Sequence, residues 1–129
     1  MSSFETIRSA HAPEAIGPYS QALVTGNLVF CSGQVPLIPG TKNLRNNSME
    51  EATHQVLLNL KAVLAAAGCA PSDVVKATVY MTDLKEFQAM NAAYAEFFGT
   101  HRPARVTVQV AALPAGASVE IDCIAVKRS

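Results

Sequence analysis

The stretch RPARVTVQVAALPAGASVEIDCIAVK, from Arg102 to Lys127, decides the fold of this 129-residue chain. It predicts two strands joined by a Pro/Gly turn. Successive side chains of a strand alternate between its two faces, so the first strand carries three valines on one face and three polar residues on the other. The polar residues are Arg105, Thr107 and Gln109. In the second strand, Glu120 and Asp122 lie opposite Val119, Ile121, Cys123 and Ala125.

Arg105 and Glu120 are charged residues on otherwise apolar strands. An arginine can bind a planar carboxylate through two parallel hydrogen bonds, and a glutamate within reach of a water can orient or deprotonate it. The alternative for both is a structural ion pair. A plain hairpin centred near Ala115 would separate the two charges by roughly 16 Å, so no direct pair within one chain is expected.

Five further residues are candidates, each with a structural alternative. Thr107 could offer a hydroxyl or backbone N–H to a ligand, but threonine is common in strands. Ser32 and Gly33, at a predicted strand end, could present backbone groups or form an ordinary turn. Tyr19 could cover a pocket or fill the core. Asn91 falls on the apolar stripe of a predicted helix, where it braces a loop or faces a site.

Composition and motifs exclude several classes of protein. Half of the residues are apolar, and ten basic residues balance ten acidic ones. A neutral chain with no basic cluster lacks a nucleic-acid footprint, and no apolar run approaches the ~18 residues of a membrane helix. Neither metal-ligand spacing nor a phosphate loop is present, so no metal or cofactor is expected. The prediction is one soluble domain over residues 1–129, cytoplasmic, with a mitochondrial location left open, and with reduced cysteines.

The remaining elements follow from hydrophobic periodicity. Irregular chain is predicted to about Pro18, followed by a hairpin that turns at 25–27 and a loop over 36–47. Helices are predicted after capping boxes at Ser48 and Asp83, with VVKATVYMT as a central strand between them. The order predicts an α+β or α/β domain whose helices cover one face of a mixed sheet. The uncovered face is expected to pack against copies of itself.

Seven segments, in order, carry a resemblance to a known family. They are IGPYSQA from Ile16, VFCSGQVP from Val29, AAGC from Ala66, VVKATVYMTDL from Val74, FQAMNAAYAEFF from Phe87, RPAR from Arg102 and ALPAGASVEID from Ala112. The chain resembles the Rid (YjgF) family of reactive-intermediate imine deaminases. The family fold is a chorismate-mutase-like homotrimer, with two helices on one face of each mixed sheet, a central β-barrel and sites between subunits. The resemblance also implies that the last strand is inserted into the sheet, which contradicts a simple hairpin.

The resemblance implies hydrolysis of 2-iminopropanoate, 2-iminobutanoate and their enamine tautomers to 2-keto acids and ammonia, without a cofactor. Arg105 would bind the substrate carboxylate and Glu120 would hold the attacking water. The rest of the pocket would be Tyr19, Ser32, Gly33, Asn91 and Thr107. Thr107 stands where many members have cysteine, which argues against an obligatory thiol. The alternatives are a non-enzymatic, holdase-like binding module and a translation-inhibiting ribonuclease.

Overall fold

The second strand of the opening stretch lies inside the sheet, not at its edge. The computed structural model describes residues 4–128. The chain forms six strands and two α-helices, in the order β1 (Phe4–Ile7), β2 (Ala22–Thr25), β3 (Leu28–Gln34), α1 (Met49–Ala66), β4 (Val74–Met81), α2 (Phe87–Phe98), β5 (Ala104–Gln109) and β6 (Val119–Val126). The strands form one sheet in the order β1-β2-β3-β6-β4-β5.

Strand β6 pairs antiparallel with both β3 and β4, whereas β5 pairs with β4 in parallel. The predicted hairpin between the last two strands is therefore wrong. Helix α2 connects β4 to β5, and such a crossover places the two strands side by side in the same direction. The position between β3 and β4 is left for β6, as the family resemblance implies.

Local signals placed most other elements correctly. The predicted first hairpin forms, and Gly26 at its turn has a φ of 59°. The Oγ of Ser48 accepts a hydrogen bond from the Glu51 backbone N–H at 3.1 Å, so this cap of α1 is confirmed. Asp83 instead caps a short 3₁₀ turn, and α2 begins only at Phe87.

Strand β1 is an addition, because residues 4–7 fall within the predicted irregular segment. Only Ile7 of its four side chains is buried, so the apolar alternation that marks a strand is missing. It lies at the outer edge of the sheet beside β2. The short length is typical of an edge strand.

The core lies between the helices and one face of the sheet. Its largest fully buried side chains include Leu57 and Leu64 of α1, Met90 of α2 and Ile121 of β6. Cys31, Cys69 and Cys123 are free thiols and are buried. No helix in the described part of the chain is long and apolar enough to cross a membrane.

The opposite face of the sheet is covered by no helix within residues 4–128. Six large apolar side chains on it are more than a third exposed: Phe4, Leu23, Leu28, Phe30, Val106 and Val108. Several exposed apolar side chains on one sheet face are typical of an interaction site.

Candidate active site

Arg105 lies on the helix-covered face of the sheet, near the edge. It pairs with Ala77, whose side chain is buried under the helices, and register partners point to the same face. The guanidinium carbon lies 4.8 Å from the ring centre of Tyr94 and 5.6 Å from that of Phe87. Cation–π contacts of this length hold a guanidinium in one place. Among residues 4–128, no carboxylate forms an ion pair with it.

Three buried polar atoms on this side of the sheet have no hydrogen-bond partner in the described chain: Asn91 Oδ1, Tyr94 OH and Thr107 Oγ1. Each unsatisfied buried group costs about 1–3 kcal/mol. Native proteins leave few such groups, and three around one free arginine indicate a place for a polar ligand or a covering chain.

A hollow of about 280 Å³ opens at this point, and we call it the arginine pocket. It is lined by Asn91, Tyr94, Ala95, Arg102, Pro103 and Arg105. The lining contains two guanidinium groups and no carboxylate. Burial raises the pKa of Tyr94, which keeps its hydroxyl neutral and able to donate a hydrogen bond. The pocket is suited to a small anion.

Glu120 and Gly33 meet on the uncovered face. The β3–β6 register shifts between Cys31 and Gln34, and this irregularity contains Gly33. A Cβ built on Gly33 would lie 1.9 Å from Oε2 of Glu120. The absence of a side chain at Gly33 is therefore what allows the carboxylate to lie against the backbone. We call this place the glutamate notch.

Partial burial raises the pKa of Glu120, and the neighbouring Asp122 carboxylate raises it further. Asp122 accepts a hydrogen bond of 2.9 Å from the hydroxyl of Tyr80. A carboxylate whose pKa is moved toward neutrality is a better general base than an ordinary surface glutamate.

Tyr19 and Ser32 lie beside the notch. Tyr19 is 46% exposed and lines a narrow gap together with Gly33. The Ser32 hydroxyl donates to the Ser20 carbonyl at 2.6 Å, and its backbone N–H donates to Gln21. Ser32 thus ties the segment that carries Tyr19 to β3.

The arginine pocket and the glutamate notch lie on opposite faces of one sheet. Arg105 on β5 and Cys123 on β6 both pair with Ala77 of β4. Cys123 is three residues from Glu120 along β6. Two strand spacings and three residues separate the Cα atoms of Arg105 and Glu120 by roughly 14 Å. Arg105 and Glu120 do not pair within the chain, as predicted, but the reason is the opposite faces as well as the distance. The predicted site residues form two groups: Arg105, Asn91 and Thr107 in one, and Glu120, Gly33, Ser32 and Tyr19 in the other.

Two pocket residues were missed in the sequence. Tyr94 is not among the residues predicted to form a site, and Arg102 enters the prediction only through the RPAR segment. The available signal was the seven-residue spacing of Phe87 and Tyr94, which places both rings on one helix face. Their contact with Arg105 depends on the parallel pairing of β5, which local patterns do not show.

Metal ligation has no support in residues 4–128, where no three His, Cys, Asp or Glu side chains lie close enough to hold an ion. The groups that could act on a ligand are therefore guanidinium, amide, hydroxyl and carboxylate. They can bind an anion and orient a water, each on its own face of the sheet.

Comparisons with known proteins agree on one family. The family model described as Endoribonuclease L-PSP matches residues 9–127. The chain is 48% identical over 121 residues to Reactive Intermediate Deaminase A, chloroplastic, of Arabidopsis thaliana, covering 94% of this chain and 65% of that protein. It is 45% identical over 121 residues to the 2-iminobutanoate/2-iminopropanoate deaminase of Capra hircus, covering 94% and 88%.

A solved structure has the same fold. The crystal structure of TdcF from E. coli with bound serine superposes with a TM-score of 0.91 at 41% identity, covering 97% of this chain and 99% of that one. Matches of this length at this identity leave no other family open. The chain therefore belongs to the Rid (YjgF) family, whose model bears the description Endoribonuclease L-PSP.

Proposed function

We propose that this chain hydrolyses reactive 2-imino acids, such as 2-iminopropanoate and 2-iminobutanoate, to 2-keto acids and ammonia in the cytoplasm. The observation that carries the proposal is Arg105, which lies against two aromatic rings of α2 and has no ion-pair partner among residues 4–128. Two relatives at 45% and 48% identity bear deaminase names. TdcF, a structural neighbour, was crystallised with serine, a small molecule with one carboxylate.

The chemistry needs only binding, a water and one base. Arg105 binds the substrate carboxylate through its guanidinium fork, and Thr107 and Asn91 supply further hydrogen bonds. Glu120 orients a water and takes its proton as the oxygen attacks C2 of the protonated imine. The proton passes to the nitrogen, the C–N bond breaks, and ammonia leaves as the carbonyl forms. Water is the sole co-reactant in this scheme.

The proposal requires a second copy of the chain, because Arg105 and Glu120 lie on opposite faces of one sheet. The uncovered apolar face supports an assembly in which such faces pack together. We propose the homotrimer with a central β-barrel, in which the arginine pocket of one subunit lies against the glutamate notch of the next.

The direct test measures the decay of freshly generated 2-iminopropanoate with wild type, Arg105→Ala and Arg105→Lys. Wild type should accelerate decay, and both variants should lose most of that acceleration, since lysine keeps the charge but not the fork. Arg128→Ala is the matched control because Arg128 is exposed, pairs with Asp73, and lines neither the arginine pocket nor the gap beside Gly33. An unaccelerated decay with wild type, or an Arg105→Ala variant as active as wild type, would overturn the proposal.

A non-enzymatic, holdase-like module is the second candidate, and the exposed apolar face favours it. Light scattering of a heat-aggregating client protein distinguishes the two functions. The binding module would be favoured by two results together: Arg105→Ala suppresses aggregation of the client protein as strongly as wild type does, and wild type hydrolyses no imine. The family description as an endoribonuclease suggests RNA cleavage, but a net charge of zero gives that activity no electrostatic support.

A further inference from the structure

The arginines of the chain divide into two classes. Three of the five form ion pairs with carboxylates: Arg8 with Glu14, Arg45 with Glu51, and Arg128 with Asp73. The other two form no ion pair within residues 4–128, and both line the arginine pocket. They are Arg102 and Arg105, and only Arg105 has a role in the proposed reaction.

Arg102 is held in place by the backbone of the turn between α2 and β5. Its Nη1 donates to the carbonyl oxygen of Gly99 and, at 3.0 Å, to that of His101. The His101 ring is fixed in turn by a 2.7 Å hydrogen bond with the Val74 carbonyl. A guanidinium has five N–H donors, so this anchoring leaves most of them free for a ligand. The side chain is ordered without being neutralised.

The charge of the pocket calls for two anionic groups. Arg102 and Arg105 both influence the Tyr94 hydroxyl, and each lowers its pKa against the dominant effect of burial. Like charges that share a small hollow repel, and the lining from this chain holds no acid. In the proposed assembly, Glu120 of the partner subunit holds the water and does not pair with Arg102. One substrate carboxylate bound to Arg105 leaves Arg102 unpaired. A second carboxylate on the substrate side chain would neutralise it.

We propose that Arg102 binds the side-chain carboxylate of the substrate, so that the preferred substrates are dicarboxylic 2-imino acids, the imines of aspartate and glutamate. This inference rests on the proposed function, since it assigns the substrate class of the same pocket. Arg105 binds the carboxylate next to the reacting carbon, and Arg102 binds the distal one. Arg102 moves no proton, and the hydrolysis is otherwise as written above. The hollow of about 280 Å³ suits a ligand of this size.

The test compares kcat/KM for the imines of aspartate and glutamate with kcat/KM for the imine of alanine, each generated by an amino-acid oxidase. Wild type should prefer the dicarboxylic imines. In Arg102→Met, the ratio of the two kcat/KM values should fall roughly two- to fivefold, the effect of one ion pair at an exposed arginine. Arg102→Lys should restore part of the ratio. Arg128→Met should leave it unchanged, because Arg128 pairs with Asp73 on the surface.

Calorimetry separates failure of this inference from failure of the proposed function. Wild type should bind 2-oxoglutarate more tightly than 2-oxobutanoate, and Arg102→Met should lose that difference. Hydrolysis with no dicarboxylic preference, or an unchanged ratio in Arg102→Met, overturns the role of Arg102 and leaves imine hydrolysis intact. A change of oligomeric state in Arg102→Met without a change in ratio also overturns it, since Arg102 would then be an interface residue. Absence of all imine hydrolysis removes the proposed function, while the binding difference still tests Arg102.

Discussion

The carboxylate of Glu120 occupies the space that a side chain at position 33 would fill. A Cβ on Gly33 would lie 1.9 Å from Oε2 and 2.8 Å from Cδ of Glu120. The contact is with the end of a flexible side chain, so a larger residue at 33 displaces Glu120 more readily than it unfolds the sheet. The position of the proposed base is thus set by a glycine on a different strand.

Gly33→Ala should therefore reduce imine hydrolysis with little loss of stability. We expect a fall in kcat/KM of about 10- to 100-fold, because small displacements of a catalytic group have effects of this size. Gly17→Ala is the matched control, since its added methyl would meet the Tyr19 ring at an ordinary 3.5 Å. Full activity in Gly33→Ala, with a folded assembly shown by gel filtration, would disprove the role of the notch.

Tyr94 should act on substrate affinity through its ring. Tyr94→Phe keeps the ring 4.8 Å from the guanidinium carbon of Arg105, whereas Tyr94→Leu removes the cation–π contact. That contact is worth about 0.5–2 kcal/mol, so Tyr94→Leu should raise KM about 2- to 30-fold. Steady-state kinetics of the two variants give the answer. Equal KM values for Phe and Leu would show that the ring does not position Arg105.

The fall of kcat/KM on the acid side of its pH profile should reflect protonation of Glu120. Burial, followed by Asp122, raises its pKa, so kcat/KM should begin to fall at a pH above the ordinary range of a carboxyl group. Asp122→Asn removes the negative neighbour and should move this fall to lower pH. Asparagine can still accept the Tyr80 hydrogen bond, so the packing is retained. A fall that moves to higher pH, or does not move, would contradict this assignment.

Glu120 should also cost the fold some stability at neutral pH. Its pKa is higher in the folded chain than in the unfolded one, so the folded state binds more protons in the window between the two values. Stability therefore falls as pH rises through that window. Glu120→Gln should raise Tm at neutral pH, and the gain should vanish below the unfolded pKa. Thermal unfolding of both proteins at equal concentration, at neutral and at acid pH, measures the difference.

Mixing two inactive variants should restore activity if the arginine pocket and the glutamate notch of one site come from different subunits. Glu120→Gln retains the arginine pocket, and Arg105→Ala retains the glutamate notch. After random reassembly of equal amounts, about a quarter of the sites should contain both intact groups, because Arg105 and Glu120 are each intact in half of the subunits. Activity near that level after co-refolding is the expected result. A mixture as inactive as its components would exclude a shared site.

Part of this site could be predicted without a structure. Alternation along β6 correctly separates Glu120 and Asp122 from the buried residues. Asn91, for which the sequence left a brace or a site open, lines the arginine pocket. The hairpin between the last two strands was wrong because each strand pattern is compatible with several partners. The missed role of Tyr94 has the same cause, since its ring reaches Arg105 only when β5 runs parallel to β4.

The sequence by itself determined which side chains share a strand face, where α1 starts, and that an arginine and a glutamate lie on apolar strands. These are local properties, set by backbone geometry, capping and residue type. The tertiary structure alone decided that β6 lies between β3 and β4, that Gly33 makes room for Glu120, and that Arg105 and Glu120 lie on opposite faces. Those relationships join residues far apart in the chain, and only the packing of the whole sheet selects among the pairings that local patterns allow.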